Sequence, residues 1–151
     1  MALAEAIVTA PVIPVMAAQT TTSGNDTDTY SETFTNVMWR GARFYVKRTA
    51  DTGTCTMDVY LQGEDPANAG SYVDVTGKII AQFADGETGT YVGIVYPGIT
   101  AQDTGTDSIT TTSGAKVDAT SAYLPWHWRL RVRSGGTGVT NTFSVSAEML
   151  K

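Results

Sequence analysis

From residue 30 onward, apolar and polar residues alternate with a period of two, and this pattern constrains the fold more than any other feature of the chain. Successive side chains of a β-strand point to opposite faces, so the alternation predicts strands with one buried face. The clearest buried row consists of Cys55, Met57, Val59 and Leu61. A second row, near the end of the chain, consists of Phe143, Val145, Ala147 and Met149. No stretch after residue 28 has a helical period, so an all-β fold is predicted.

Residues 123–133 form another strong strand pattern, and its two faces differ sharply in character. The face predicted to be buried carries Trp126, Trp128, Leu130 and Val132. The opposite face carries His127, Arg129, Arg131 and Arg133. Glycine-rich residues 135–138 follow, and a glycine cluster between two strand patterns predicts a tight hairpin with the final strand.

The remaining patterns are short strands separated by turn signals. Residues 42–49 and 55–61 are predicted to be separate strands, and residues 100–120 a long polar loop with one weak strand near residues 108–112. Seven or eight short strands joined by glycine-rich turns predict an antiparallel β-sandwich of jelly-roll or immunoglobulin-like type. We assign residues 29–151 to this domain.

Residues 1–28 differ from the rest, and we predict an extended N-terminal arm because Pro11 and Pro14 disfavour a continuous helix. Its apolar anchors are Leu3, Ile7, Val8, Val12, Ile13, Val15 and Met16. Exposing so many apolar side chains to water is costly, so we expect the arm to dock on its own domain or on a neighbouring subunit. A frayed terminus is the alternative. Glu5 and the two prolines interrupt the apolar stretch, which argues against a signal peptide or a membrane helix.

The composition argues against several classes of function. The chain has 15 acidic and 10 basic residues, a net charge of −5 that disfavours general affinity for nucleic acid. Cys55 is the one cysteine and His127 the one histidine, which excludes an intrachain disulfide, a cysteine-based zinc site and any site with two histidines. The acidic residues lie mainly near turns, without a calcium-loop motif. We therefore predict no catalytic residues, no metal and no cofactor, and the chain is not expected to be an enzyme.

Two features of residues 123–133 leave alternatives open. Like charges side by side on a strand are destabilising unless they are paired. The row that includes Arg129, Arg131 and Arg133 is therefore expected to pair with acids on neighbouring strands or to meet an acidic surface of a partner protein. Trp126 and Trp128 are predicted to be core residues, and either one would become a platform for a sugar or a partner if it were exposed.

Several motifs occur in an order that resembles a known group of proteins. They are R-G-A-R-F-Y-V (residues 40–46), T-C-T-M-D-V-Y-L-Q-G-E-D-P (54–66), G-S-Y-V-D-V (70–75), V-Y-P-G-I (95–99), L-P-W-H-W-R-L-R-V (124–132) and F-S-V-S-A (143–147). This order is similar to that of small β-sandwich proteins encoded by tailed bacteriophages among their head genes. The resemblance covers about residues 40–149, and its motifs are structural, so no functional site residues come with it.

The resemblance implies a virion component, and we expect a capsid decoration (cement) protein on the outer surface of the head. The expected partners are the major capsid protein and other copies of the chain, with a trimer favoured. The arm anchors named above and Arg129, Arg131 and Arg133 are the candidate contacts. Neither nucleic acid nor a membrane is expected as a partner. The alternatives are a tail or head-fibre component, and a carbohydrate-binding β-sandwich module that uses Trp126, Trp128 or exposed tyrosines.

Overall fold

The computed structural model describes residues 6–8, 11–23, 27–100, 109–110 and 116–151, and the structural statements below concern these residues. Every regular element among them is a β-strand, so the all-β prediction is confirmed. The strands are β1 (Ala6–Val8), β2 (Val12–Ser23), β3 (Thr27–Tyr30), β4 (Phe34–Asn36), β5 (Gly41–Glu64), β6 (Tyr72–Phe83), β7 (Gly89–Val95), β8 (Ile109–Thr110), β9 (Lys116–Thr120) and β10 (His127–Leu150).

All ten strands belong to one mixed sheet. Its main path runs β1-β4-β10-β5-β7-β9-β8, while β2 and β3 also pair with β10 and β6 pairs with β5. Most pairs are antiparallel, but β1 with β4 and β7 with β9 are parallel. The short β8 lies within the weak strand predicted near residues 108–112, whereas β9 occupies part of the region predicted to be loop.

The sheet is built around a ribbon of two 24-residue strands, β5 and β10, which pair antiparallel from Gly41↔Leu150 to Gly63↔Trp128. The prediction of separate strands at residues 42–49 and 55–61 is therefore wrong, because both belong to β5. The predicted hairpin at residues 135–138 is also wrong. Residues 135–137 stay paired with residues 54–56 of β5, so the glycines extend β10 instead of reversing it.

The ribbon has two halves with different neighbours. In the half that we call the β7 half, residues 42–48 of β5 pair with β7, and residues 139–148 of β10 pair with β2. In the other, the β6 half, residues 57–64 of β5 pair with β6, and the first residues of β10 pair with β3 and β4.

The two halves meet across a shared core. Phe44, in the β7 half, lies edge-on to Trp128, in the β6 half, with ring centroids 5.7 Å apart. Gly93 of β7 lies so close to the carbonyl oxygen of Ile80 in β6 that any Cβ at position 93 would overlap it. Both rows that alternation predicted, residues 55–61 and 143–149, are buried in this molecule at every second position.

A register irregularity lies between the halves, where the ribbon has to bend for Phe44 to reach Trp128. The pairing shifts by one residue between Thr137↔Thr54 and Thr140↔Thr52. Gly53 lies within this shift and Gly136 next to it, and both have a positive φ, 79° and 119°. A bulge of this kind bends paired strands without ending them, which explains why turn-like glycines occur inside a continuous strand.

A buried arginine joins the segments that converge on this bend. The side chain of Arg48 is fully buried, and its guanidinium forms an ion pair with Asp51 at 3.2 Å. Its Nε donates to Asn141 Oδ1 of β10 at 2.7 Å, and its terminal nitrogens donate to the carbonyl oxygens of Ala84, Glu87 and Cys55. The same residue thus holds β5, β10 and the turn between β6 and β7 in place.

Replacing Arg48 should therefore destabilise the fold far more than replacing Arg43, a half-exposed arginine of the same strand. Arg48→Met leaves the Asp51 carboxylate without its cationic partner and several buried acceptors without their donor, and we expect a loss of about 3–5 kcal/mol. Arg43→Met removes a half-exposed ion pair with Glu148 and should cost about 0–1 kcal/mol. Urea denaturation of the two variants and the unmodified chain measures both losses. Equal losses would contradict the role assigned to Arg48.

Candidate functional site

The predicted arm anchors divide between the core and the surface. Val15 and Met16 are buried, Ile13 is partly buried against the core, and Val12 is 64% exposed. Ile7 and Val8 lie in β1, whose backbone pairs with residues 34–36 of β4. Leu3 lies outside the described residues.

Strand β2 attaches the arm to the β7 half. It pairs with β10 from Val12↔Glu148 to Ser23↔Val139, and the amide of Met149 donates to the carbonyl of Pro11 at 2.5 Å. Pro14 lies at a register shift, which is where an edge strand tolerates a residue without an N–H donor. Within the described residues, β2 pairs with β10 alone, so its outer side is an edge of the sheet.

The predicted row of cations lies on the β6 half and is paired within the molecule. The guanidinium of Arg129 lies between the rings of Tyr30 and Tyr72, with Cζ 4.2 and 4.1 Å from their centroids. Its Nε also donates to Gln62 Oε1 at 2.9 Å. Cation–π contacts on both faces combined with a hydrogen bond in the plane hold this guanidinium in one orientation.

Arg131 and Arg133 meet acids on the strands at both sides. Arg131 forms ion pairs with Asp74 at 2.8 Å and Asp28 at 3.4 Å, and it lies over the ring of Tyr60. Arg133 is the cross-strand partner of Asp28 on β3 and of Asp58 on β5. Acids on other strands thus pair with Arg131, whereas Arg129 is held by two tyrosines and Gln62. A partner-binding role for the row stays a prediction.

The tyrosines of this surface were not identified from the sequence. Tyr30, Tyr60 and Tyr72 lie on β3, β5 and β6, and each is in contact with an arginine of β10. Alternation with the buried row 55–61 places Tyr60 on the outward face of its strand, but it does not show what Tyr60 contacts. The sequence does place a tyrosine on each of these strands. The tyrosines can be matched to the arginines only when the order of the strands in the sheet is known.

The prediction that Trp126 is a core residue is wrong, because its side chain is 62% exposed. It precedes β10, which begins at His127, so the alternation of the strand does not extend to it. Its carbonyl accepts a hydrogen bond from the amide of Asn36 at 2.7 Å, which holds its backbone against the end of β4. Trp128, by contrast, is fully buried and stacks on Phe34 with centroids 4.6 Å apart, as predicted for a core residue.

The exposed Trp126 lines a cleft of about 410 Å³ at the end of the β6 half. The residues around the cleft come from the start of β10 and from the turn after β5, and they are Glu64, Asp65, Pro66, Ala69, Trp126 and His127. Ligand sites in proteins are clefts of about 300–1,000 Å³ with an apolar lining and a few oriented polar groups, so this cleft has the size and composition of one.

Hydrogen bonds within the turn hold the polar side of the cleft. Asp65 Oδ1 accepts from the amide of Ala67 at 2.9 Å, and Glu64 Oε1 accepts from the amide of Gly70 at 2.6 Å. The other carboxylate oxygen of Glu64 contacts His127 Nδ1 and so links the turn to β10. The amide of Gly70 and the contact with His127 both stabilise the ionised carboxylate, which lowers the pKa of Glu64.

The described residues offer little for covalent or metal chemistry. Among them, no group of three or more His, Cys, Asp or Glu side chains could hold a metal ion. Cys55 is buried, and burial raises the pKa of its thiol, which disfavours the reactive thiolate. The same part of the chain contains no helix long and apolar enough to cross a membrane.

Comparison of the chain with protein families, with curated proteins and with solved structures finds no significant match. The resemblance to bacteriophage virion proteins therefore stays a prediction from the order of the motifs.

The carboxyl of Glu64 should titrate below its ordinary pKa of 4.5, and carbon-13 NMR of the side-chain carboxyls measures this directly. The depressed pKa means that ionised Glu64 stabilises the fold above pH 4.5, and that this contribution is lost as the pH falls through the folded-state pKa. In the His127→Ala variant, the titration midpoint of Glu64 should rise but stay below 4.5. The reason is that the Gly70 amide lowers the pKa of Glu64 more than His127 does. An unchanged midpoint in this variant would contradict the role of His127.

Proposed function

We propose that the chain is a capsid decoration protein of a tailed bacteriophage, which binds the outer surface of the head through its N-terminal arm and the surface of its β-domain. The observation that carries the proposal is strand β2. It is an N-terminal strand added to β10 at an edge of the sheet, with Val15 and Met16 buried and Val12 exposed. The order of the structural motifs points to the same class of protein.

The proposal includes a β-sandwich body, with the β6 and β7 halves as its two layers. Its support is the packing of Phe44 on Trp128 across the ribbon and the close approach of Gly93 to Ile80. Two layers formed by one bent ribbon give a rigid body, because neither layer can slide without breaking the pairing of β5 with β10. Rigidity is what a protein that reinforces a shell requires.

The arm offers a physical means of attachment. An edge strand presents unpaired main-chain N–H and C=O groups on its outer side, and proteins use such edges to pair with segments of other chains. Many copies on one symmetric shell raise the effective concentration of each contact, so weak individual contacts suffice. We propose the major capsid protein and neighbouring copies of this chain as the partners, with a trimer as the assembly.

Replacing the exposed anchor Val12 should weaken attachment without unfolding the chain. We expect Val12→Ser to reduce cosedimentation with purified heads of the encoding phage that lack this protein, because the substitution removes apolar surface from the arm. Val73→Ser is the matched control, since Val73 is a similarly exposed valine of β6, on the other half of the ribbon. Equal binding by Val12→Ser and the unmodified chain would contradict the role of the arm.

The place of the protein on the particle is tested by imaging. Immunogold labelling of intact virions should mark the head surface in a regular array, and sedimentation equilibrium of the purified chain should give the mass of a trimer. Label confined to the tail or to head fibres would replace the decoration role with that of another virion component. Particles without any label would reject both.

A further inference from the structure

We propose that the cleft beside Trp126 binds a saccharide. This inference is independent of the capsid role, because it concerns the β6 half, whereas β2 lies on the β7 half. It starts from the exposed indole of Trp126, which lines a cleft of about 410 Å³.

The apolar side of the cleft fits the face of a sugar ring. Pro66, Ala69 and the indole of Trp126 supply its apolar surface. The C–H groups on one face of a pyranose carry a partial positive charge, and the face of an aromatic ring is negative, so the two pack favourably. An exposed tryptophan in a cleft therefore gives a flat ring a platform that also removes apolar surface from water.

The polar side of the cleft fits the hydroxyl groups of a sugar. Glu64 and Asp65 are acceptors, and a carboxylate has about four lone-pair positions, more than the contacts within the protein occupy. Hydroxyl groups of a ligand can donate to the remaining positions. The turn already holds both carboxylates in place, so less conformational freedom is lost on binding.

A saccharide fits better than a cation of comparable size. Proteins that bind quaternary ammonium groups surround them with several aromatic rings. Among the described residues that line the cleft, Trp126 and the imidazole of His127 are the ring systems, with centroids 6.3 Å apart and planes tilted by 39°. One large ring face and two carboxylates that line the same cleft suit a flat, polyhydroxylated ligand.

Affinity electrophoresis of the full chain in native gels tests the proposal. The probes are four soluble neutral polysaccharides, namely dextran, laminarin, mannan and galactan. We expect at least one of them to retard the chain. Retardation by that polysaccharide should fall by about tenfold or more in Trp126→Ala, because the platform is lost. Trp126→Phe keeps a ring and should retain part of the retardation.

Matched variants separate the cleft from other exposed residues. Tyr123→Ala removes an aromatic side chain that is 66% exposed and lies outside the cleft lining, and it should bind like the unmodified chain. Asp65→Asn keeps an oxygen for the Ala67 amide and should weaken binding by removing a charged acceptor. Circular dichroism verifies that each variant is folded.

Three results would overturn the proposal. The first is no retardation by any of the four polysaccharides. The second is retardation that Trp126→Ala leaves unchanged. The third is a change in tryptophan fluorescence on adding tetramethylammonium but not on adding the polysaccharides, which would assign the cleft to cations. None of these results bears on attachment to heads, so the two proposals succeed or fail separately.

Discussion

The fold depends on a single buried guanidinium at the bend of the β5–β10 ribbon. A charged group without solvent contact is tolerated only when its donors are satisfied, and those of Arg48 meet Asp51, Asn141 and three carbonyl oxygens. These acceptors belong to separate segments and converge in one geometry, that of the bent ribbon. Asn141 in turn donates to Ser134 Oγ at 2.9 Å, which ties together two parts of β10 on opposite sides of the bulge. The bend is thus specified by polar contacts, while the apolar rows supply the driving force for the two halves to pack.

Alternation identified the buried rows correctly because it reports a local property, the side of the strand on which each residue lies. It could not show that residues 42–49 and 55–61 are one strand, because polar, glycine-containing residues between them occur both in turns and in bulges. The same ambiguity produced the wrong hairpin at residues 135–138. Arg48 was not recognised for a related reason. It lies on the buried face of its strand, where an arginine interrupts the row of apolar residues. Its role can be recognised only when its distant partners are known.

The candidate surfaces show the same division between local and long-range information. A row of cations on one face was evident from spacing, but its partners Asp28, Asp74 and Tyr72 lie on β3 and β6, on opposite sides of the β5–β10 pair. Which acids meet which arginines depends on strand order and register, and neither follows from a single sequence. Trp126 shows the converse error, since the strand pattern assigned to residues 123–133 begins four residues before β10, which starts at His127. Its exposure removes it from the core and leaves its indole accessible in the cleft.

The bent ribbon also explains how one small domain can offer two separate surfaces. The β7 half carries β2, whose outer edge and exposed Val12 suit attachment to other protein chains. The β6 half carries the cleft, whose turn is held by its own hydrogen bonds and by the contact between Glu64 and His127. Because each surface is built on a different half, attachment through β2 does not require any residue that lines the cleft. A saccharide site on a decoration protein would then stay available at the particle surface, and the particle would gain adhesion through many weak contacts acting together.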